Sequence, residues 1–175
     1  MKAIAHYEAP STVASITFMS VGDIPSEYTD LLIVVSARST GTEAGGGAIL
    51  LIRPNGSTSS MSSRHIGASG SGVYTGTDTT IYTRMTPGDL TANTFGINSI
   101  YIGDYRSSYP KRFSVDGAFE NDATFARLEL LAGLWNSSSP ITSIQLLPSS
   151  GSFAQYTKAT LYGITAGSDG TTTVS

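Results

Sequence analysis

Two segments near the end of the chain indicate its fold most clearly. They are Ile141-Thr-Ser-Ile-Gln-Leu-Leu147 and, after a Pro-Ser-Ser-Gly turn, Phe153-Ala-Gln-Tyr-Thr-Lys-Ala-Thr-Leu-Tyr-Gly-Ile164. In the first segment the residues fall on the two sides of an extended chain, with Ile141, Ser143, Gln145 and Leu147 on one side and Thr142, Ile144 and Leu146 on the other. Thr160, Tyr162 and Ile164 repeat this two-residue period after the turn. We therefore predict that the two segments form a β-hairpin and that this hairpin closes a sheet.

Segments of the same kind recur along the chain, bounded by clusters of Gly, Pro, Ser, Asn or Asp. They cover residues 3–7, 14–20, 30–38, 47–53, 60–66, 79–84, 95–102, 112–116, 124–131, 141–147 and 157–165. Many short strands at this spacing are typical of a sandwich or jelly roll. We predict an all-β, antiparallel, jelly-roll-like β-sandwich with a single domain over residues 1–165. Residues 166–175 have little to bury and are predicted to be a flexible tail.

Two segments leave the secondary structure open. The apolar run Leu31–Val35 favours a strand that is buried on both faces or crosses the middle of the sandwich, although periodicity also allows a short buried helix. In 121–131, apolar residues recur at helical spacing after Asn121, which could cap a helix. Apolar and charged residues also alternate from Ala126 to Leu130, which favours a strand. We predict strands in both places, and loops or tight turns at the glycine-rich stretches 40–47 and 69–72.

The composition argues against several classes of function. The 175-residue chain has no cysteine, which removes thiol chemistry and disulfides and is compatible with assembly in a reducing cytoplasm. A net charge of −3 with scattered Lys and Arg argues against nucleic-acid binding. Since no apolar run approaches the ~20 residues of a membrane helix and the start lacks a signal-peptide pattern, we expect no membrane association.

Residues that could carry chemistry are few. Ser63 and His65 would share one face of an extended segment, but no Gly-x-Ser-x-Gly elbow is present, and a surface His bonded to a nearby loop explains His65 as well. The acidic residues that a glycosidase could use are Asp104, Asp116, Glu120 and Asp122. They lie in loop-prone sequence, and their spacing does not indicate that two of them face each other. The alternative is that they are solvated carboxylates near Arg106 or Arg112. We predict no enzyme, keeping polysaccharide hydrolysis as an outlying alternative, and no metal or cofactor.

The segment 101–112 is richer in Tyr and Arg than the rest of the chain. Both residue types are favoured in protein interfaces and in sugar-binding faces. We predict that Tyr105, Arg106 and Tyr109 are exposed and contact a partner protein. The ordinary alternative is that the tyrosines alternate along strands and the charged ends of the arginines lie in water. Trp135 has apolar neighbours in sequence and is predicted to lie in the core.

Several quoted motifs occur together in one known family. Ala14-Ser-Ile-Thr-Phe18, Ile24-Pro-Ser-Glu-Tyr28 and Leu31-Leu-Ile-Val-Val-Ser-Ala-Arg38 open the chain, and Leu161-Tyr-Gly-Ile164 ends its last predicted strand. In this order they resemble a family of β-sandwich virion proteins of tailed bacteriophages. The middle segments 51–60 and 130–136 also match, so the resemblance covers about 150 residues, with a departure at Pro54.

The resemblance implies a virion structural component, either a capsid decoration (cement) protein or a tail part. Because the chain has neither heptads nor an internal repeat, it lacks a fibre shaft, and we expect a decoration protein that docks on the major capsid protein lattice. The family further implies a homotrimer on the outer capsid surface, assembled in the host cytoplasm. The alternative is a tail-fibre or receptor-binding knob that recognises a host surface glycan or protein.

Overall fold

The computed structural model describes residues 1–19, 24–43, 47–70, 72–121 and 125–165. Within these ranges the chain forms twelve β-strands and no helix: β1 (Lys2–Glu8), β2 (Ile16–Met19), β3 (Asp30–Ala37), β4 (Ala48–Pro54), β5 (Met61–Ser69), β6 (Gly72–Asp78), β7 (Tyr82–Met85), β8 (Gly96–Gly103), β9 (Lys111–Phe119), β10 (Arg127–Trp135), β11 (Ser143–Pro148) and β12 (Lys158–Ile164). None of the described residues belongs to a helix that could cross a membrane. The all-β prediction is confirmed, while the predicted tail 166–175 lies outside the described residues.

The strands form two antiparallel sheets. One sheet has eight strands in the order β1-β12-β3-β8-β9-β10-β5-β6, and the other has four in the order β2-β11-β4-β7. Four pairs are nested along the chain: β1 with β12, β2 with β11, β3 with β8, and β4 with β7. Such nesting is what an antiparallel ribbon folded across two sheets produces, and the jelly-roll form of the sandwich stays a prediction. Strands β9, β10, β5 and β6 extend one sheet beyond this ribbon.

The core lies between the two sheets. Alternate side chains of β3, Leu31, Ile33 and Val35, are fully buried and belong to one apolar cluster with Leu50 and Ile52 of β4. Fully burying a side chain of this size stabilises the fold by about 1.5–3 kcal/mol. The other face of β3 is only half-buried. The run Leu31–Val35 is therefore a strand that crosses the interior of the large sheet, without full burial on both faces.

The predicted closing hairpin is wrong. Strand β11 lies in the four-stranded sheet between β2 and β4, whereas β12 lies in the eight-stranded sheet between β1 and β3. The segment between them crosses from one sheet to the other, and its Phe153, fully buried, exchanges backbone hydrogen bonds with Val13 at 2.8 and 3.2 Å. A two-residue period predicts a strand, but it does not specify which strand pairs with it.

The strand prediction for the segment after Asn121 is confirmed. Arg127–Trp135 pairs residue by residue with β5 on one side and with β9 on the other. The alternative helix is excluded there because both edges of the backbone are engaged in the sheet. Trp135, only 5% exposed, is in the core as predicted. At the glycine-rich stretch 69–72, Ser69 at the end of β5 pairs directly with Gly72 at the start of β6, while Ser71 lies outside the described residues.

Candidate interaction face

One face of the extended part of the large sheet carries exposed apolar side chains. On β10, odd-numbered residues point into the core and even-numbered residues point away from it. Leu128, Leu130 and Leu134 are 56%, 57% and 37% exposed on this second side. We call this side the outer face; it consists of the even-numbered residues of β10 and the residues paired with them on β5, β6, β9 and β8.

The neighbouring strands continue the apolar surface. Ile66 of β5 is paired with Leu130 and is 50% exposed. At the level of Leu128, one row across five strands contains Val73, Ala68, Leu128, Ala118 and Ile97. The two ends of this row, Val73 and Ile97, are 74% and 59% exposed. Single exposed apolar residues are ordinary, but a contiguous patch of this kind marks an interaction surface.

Small side chains leave shallow depressions between the large ones. One depression, of about 630 Å³, lies where Ala68, Ala118 and Ala126 are flanked by Phe95, Ile97 and Leu128. A second of about 410 Å³ lies beside Leu130 and Ala132, and a third of about 380 Å³ lies beside Ala132 and Leu134. The outer face is therefore uneven, with room for side chains of a partner between its leucines.

Charged residues on the outer face are sparse. Arg64 of β5 and Asp116 of β9 are exposed there, and neither makes an ion pair within the described residues. At one end, Arg112 pairs with Asp104 at 3.2 Å, with both side chains more than 60% exposed. An exposed ion pair of this kind contributes at most about 1 kcal/mol. The middle of the face is thus apolar, with one unpaired charge of each sign.

On the inner side, a buried carboxylate holds the added strands together. Glu129 of β10 is 2% exposed and accepts a 2.8 Å hydrogen bond from the Tyr74 hydroxyl of β6. Its Oε2 also lies 3.7 Å from Nε of Arg84 in β7 and 3.9 Å from Nη2 of Arg127. A buried charge requires such partners. The cluster therefore attaches the edge strand β6 and the four-stranded sheet to β10. Burial in this cluster also raises the pKa of the Tyr74 hydroxyl.

The structure does not bring Ser63 and His65 together as a catalytic pair. The Ser63 hydroxyl donates to the Thr80 carbonyl at 2.7 Å, and His65 Nδ1 shares a 2.9 Å hydrogen bond with the Tyr82 hydroxyl. Burial raises the pKa of Tyr82 to about 12, with a smaller contribution from the charge of Glu129. His65 is half-buried and bonded to a strand, β7, so the predicted bond to a surface loop is wrong.

The described acidic residues of this group, Asp104, Asp116 and Glu120, occupy separate positions rather than a facing pair of the kind that a glycosidase uses. Asp104 pairs with Arg112, as the alternative predicted; Asp116 lies on the outer face, and Glu120 follows the end of β9. Asp122 lies outside the described residues. Across the described ranges, no group of three or more His, Cys, Asp or Glu side chains is placed to hold a metal ion.

The exposure predicted for the tyrosine and arginine segment is partly wrong. Tyr105 is 1% exposed, and its hydroxyl donates to the Pro25 carbonyl. Arg106 is exposed, but its Nη1 donates to the Ser26 carbonyl. Both side chains therefore hold the turn 24–28. Only Tyr109, 73% exposed, projects freely enough to serve as the predicted partner contact without rearrangement.

Sequence reasoning missed the outer face. The signal was present in Leu130-Leu-Ala-Gly-Leu-Trp135, where both sides of a strand are apolar although only one side can face a single core. The packing of the four-stranded sheet against the other side of β10, which the sequence does not specify, decides which side is left uncovered.

Comparison with protein-family models, with curated proteins and with solved structures finds no match. The likeness to phage virion proteins therefore depends on the quoted motifs, and membership of that family stays a prediction.

Proposed function

We propose that this chain is a non-enzymatic structural protein of a tailed-bacteriophage virion, and that it is a capsid decoration protein. In this proposal it docks on the major capsid protein lattice as a homotrimer and stabilises the shell. The observation that carries the assembly part of this proposal is the outer face, on which Leu128, Leu130 and Ile66 are each at least half exposed. The motif resemblance adds the viral context.

Covering the outer face with protein would supply the driving force for assembly. Burial of apolar area is worth about 25 cal/mol per Å², from which the cost of association is subtracted. A single small contact is then weak. On a symmetric lattice, however, several contacts act together, and their avidity exceeds the affinity of any one of them.

We assign the lattice contact to the loop that joins β8 to β9. Among the tyrosines of the described residues, Tyr109 is the most exposed, at 73%. Aromatic side chains are common anchors at interfaces. Its backbone is well supported, because Lys111 Nζ donates to the Tyr109 carbonyl at 2.6 Å. A contact that fixes the backbone before docking lowers the conformational entropy that is lost on docking.

The location of the chain in intact particles tests this proposal. Particles from the phage that encodes it would be purified, analysed for the chain by mass spectrometry and labelled with an antibody against the folded domain. Label distributed over the head supports decoration. Label confined to the tail tip would favour the receptor-binding alternative, and particles that lack the chain would overturn the structural role. Release of reducing sugars from host polysaccharide by the pure protein would overturn the non-enzymatic part.

A further inference from the structure

Two opposite charges are placed diagonally about the centre of the outer face. Leu130 pairs with Asp116 across the β9 side of β10, and Ala132 pairs with Arg64 across the β5 side. Arg64 and Asp116 therefore flank β10 on opposite sides and at successive levels. Ile66 lies beside Leu130 at the centre, so the two charges stand on either side of an apolar middle.

This arrangement is complementary to itself. If a second copy is turned by a two-fold axis that lies in the plane of the face and passes between Arg64 and Asp116, Arg64 of each copy meets Asp116 of the other. Arg112, already paired with Asp104, lies near the axis. With strands about 4.8 Å apart and about 6.7 Å between alternate residues, the strands of the two copies cross at about 70°. Such a large angle belongs with the orthogonal class of sheet packing.

We propose that the outer face binds the outer face of a second copy of this chain. Leu130 and Ile66 of the two copies pack beside the two-fold axis, and two reciprocal pairs join Arg64 of one copy to Asp116 of the other. This pairing rests on the proposed assembly role, and it names the partner of the outer face from which that role was inferred. The apolar centre supplies affinity, whereas the charge pairs fix the orientation of the two copies.

A two-fold contact here is compatible with the proposed trimer. Symmetric contacts of this kind use the same surface on both subunits. If the outer face acts alone, the chain forms a dimer. If a trimer contact elsewhere also forms, the outer faces join two trimers. The lattice contact through Tyr109 is a separate surface in either case.

Charge reversal tests the pairing. The Arg64→Asp variant carries two negative charges on its outer face, and the Asp116→Arg variant carries two positive charges. Each variant alone should self-associate at least tenfold more weakly than the wild type in sedimentation velocity, because like charges then face each other. An equimolar mixture should recover the wild-type affinity, since every Arg again meets an Asp. Circular dichroism checks that each variant is folded.

Several outcomes would overturn the pairing. They are a wild-type chain that stays monomeric at every concentration, single variants that associate as well as the wild type, and a mixture that gains nothing over its components. Leu130→Ser provides an independent check, because it should weaken association without changing any charge. A monomeric chain that still labels capsids would remove the pairing but retain the decoration role. A chain that pairs as predicted but is missing from particles would retain the pairing and remove the decoration role.

Discussion

The ring of Tyr28 lies directly against Gly163, so close that a Cβ built on this glycine would be 2.4 Å from ring carbons. Tyr28 ends the Ile24-Pro-Ser-Glu-Tyr turn, and Gly163 belongs to the Leu-Tyr-Gly-Ile segment of β12. Tyr105 and Arg106 bind the same turn through its carbonyls. The motifs that resemble virion proteins are therefore in contact with one another, which gives them a structural role in holding the domain together.

Replacement of Gly163 tests this contact. Gly163→Ala should lower the free energy of unfolding by about 1–3 kcal/mol, because the new methyl group must displace the Tyr28 ring. Chemical denaturation measures the change. Gly103→Ala is the matched control: a Cβ at Gly103 has its nearest neighbour at 3.6 Å, an ordinary contact. Equal stability of the two variants would show that the ring moves aside at no cost.

Arg38, the last residue of the Leu31–Arg38 motif, organises the loop between β7 and β8. Its guanidinium donates to the carbonyls of Gly88, Leu90, Thr91 and Thr94 at 2.7–3.1 Å. The pKa of Arg38 is lowered by burial, an effect that the charge of Asp89 partly offsets.

A lysine cannot reproduce this set of bonds, since its ammonium lacks the planar fork of donors. Arg38→Lys should therefore lose about 3 kcal/mol of unfolding free energy, given the size of hydrogen bonds to charged groups. Arg64→Lys, on the exposed outer face, serves as the control and should unfold like the wild type at a concentration where both are monomeric. A loss below about 1 kcal/mol for Arg38→Lys would mean that water replaces the missing donors.

The raised pKa of Tyr82 predicts a loss of stability in alkali. The hydroxyl ionises near pH 10 in the unfolded chain but at about 12 in the fold, so the folded state holds its proton longer. The stabilisation is complete below pH 10 and falls as the pH rises from about 10 to about 12. Tyr82→Phe should reduce this fall in denaturation experiments across that range. An unchanged slope would locate the effect in other tyrosines.

Tyr109 is the remaining candidate of the three predicted partner contacts. Tyr109→Ala should leave thermal unfolding nearly unchanged and weaken binding to capsids that lack the native protein. Anchors at interfaces commonly contribute 2 kcal/mol or more, which is about a thirtyfold change in affinity. Tyr105→Ala, in contrast, should mainly destabilise the domain, because Tyr105 is buried. Full capsid occupancy by Tyr109→Ala would exclude Tyr109 from the contact.

Local patterns predicted most of the strands, because alternation in one segment is sufficient to define an extended chain. Strand β6 was missed. It contains Gly72 and Gly76 and is mostly exposed, so neither propensity nor pattern favours it. It forms because β5 pairs along it and because Tyr74 is anchored to Glu129. Because Tyr74 and Glu129 are 55 positions apart in the sequence, a local sequence pattern cannot reveal this hydrogen bond.

Partners across the sandwich and side-chain exposure were harder to predict. The alternation in β11 and β12 is correct, yet they pair with β4 and β3 in different sheets because the chain between them crosses at Phe153. Tyr105 and Tyr109 occur in one short polar segment and have the same chemistry. Tyr105 nevertheless packs in the apolar core and bonds to the Pro25 carbonyl, whereas Tyr109 is exposed, and only the fold makes this difference.

A reconstruction of the intact phage particle by electron cryomicroscopy tests the central claim most directly. We expect density for this domain on the outer surface of the capsid, with Leu128 and Leu130 covered by protein. Density elsewhere on the particle with the outer face open to solvent, or no density for the domain at all, would contradict it.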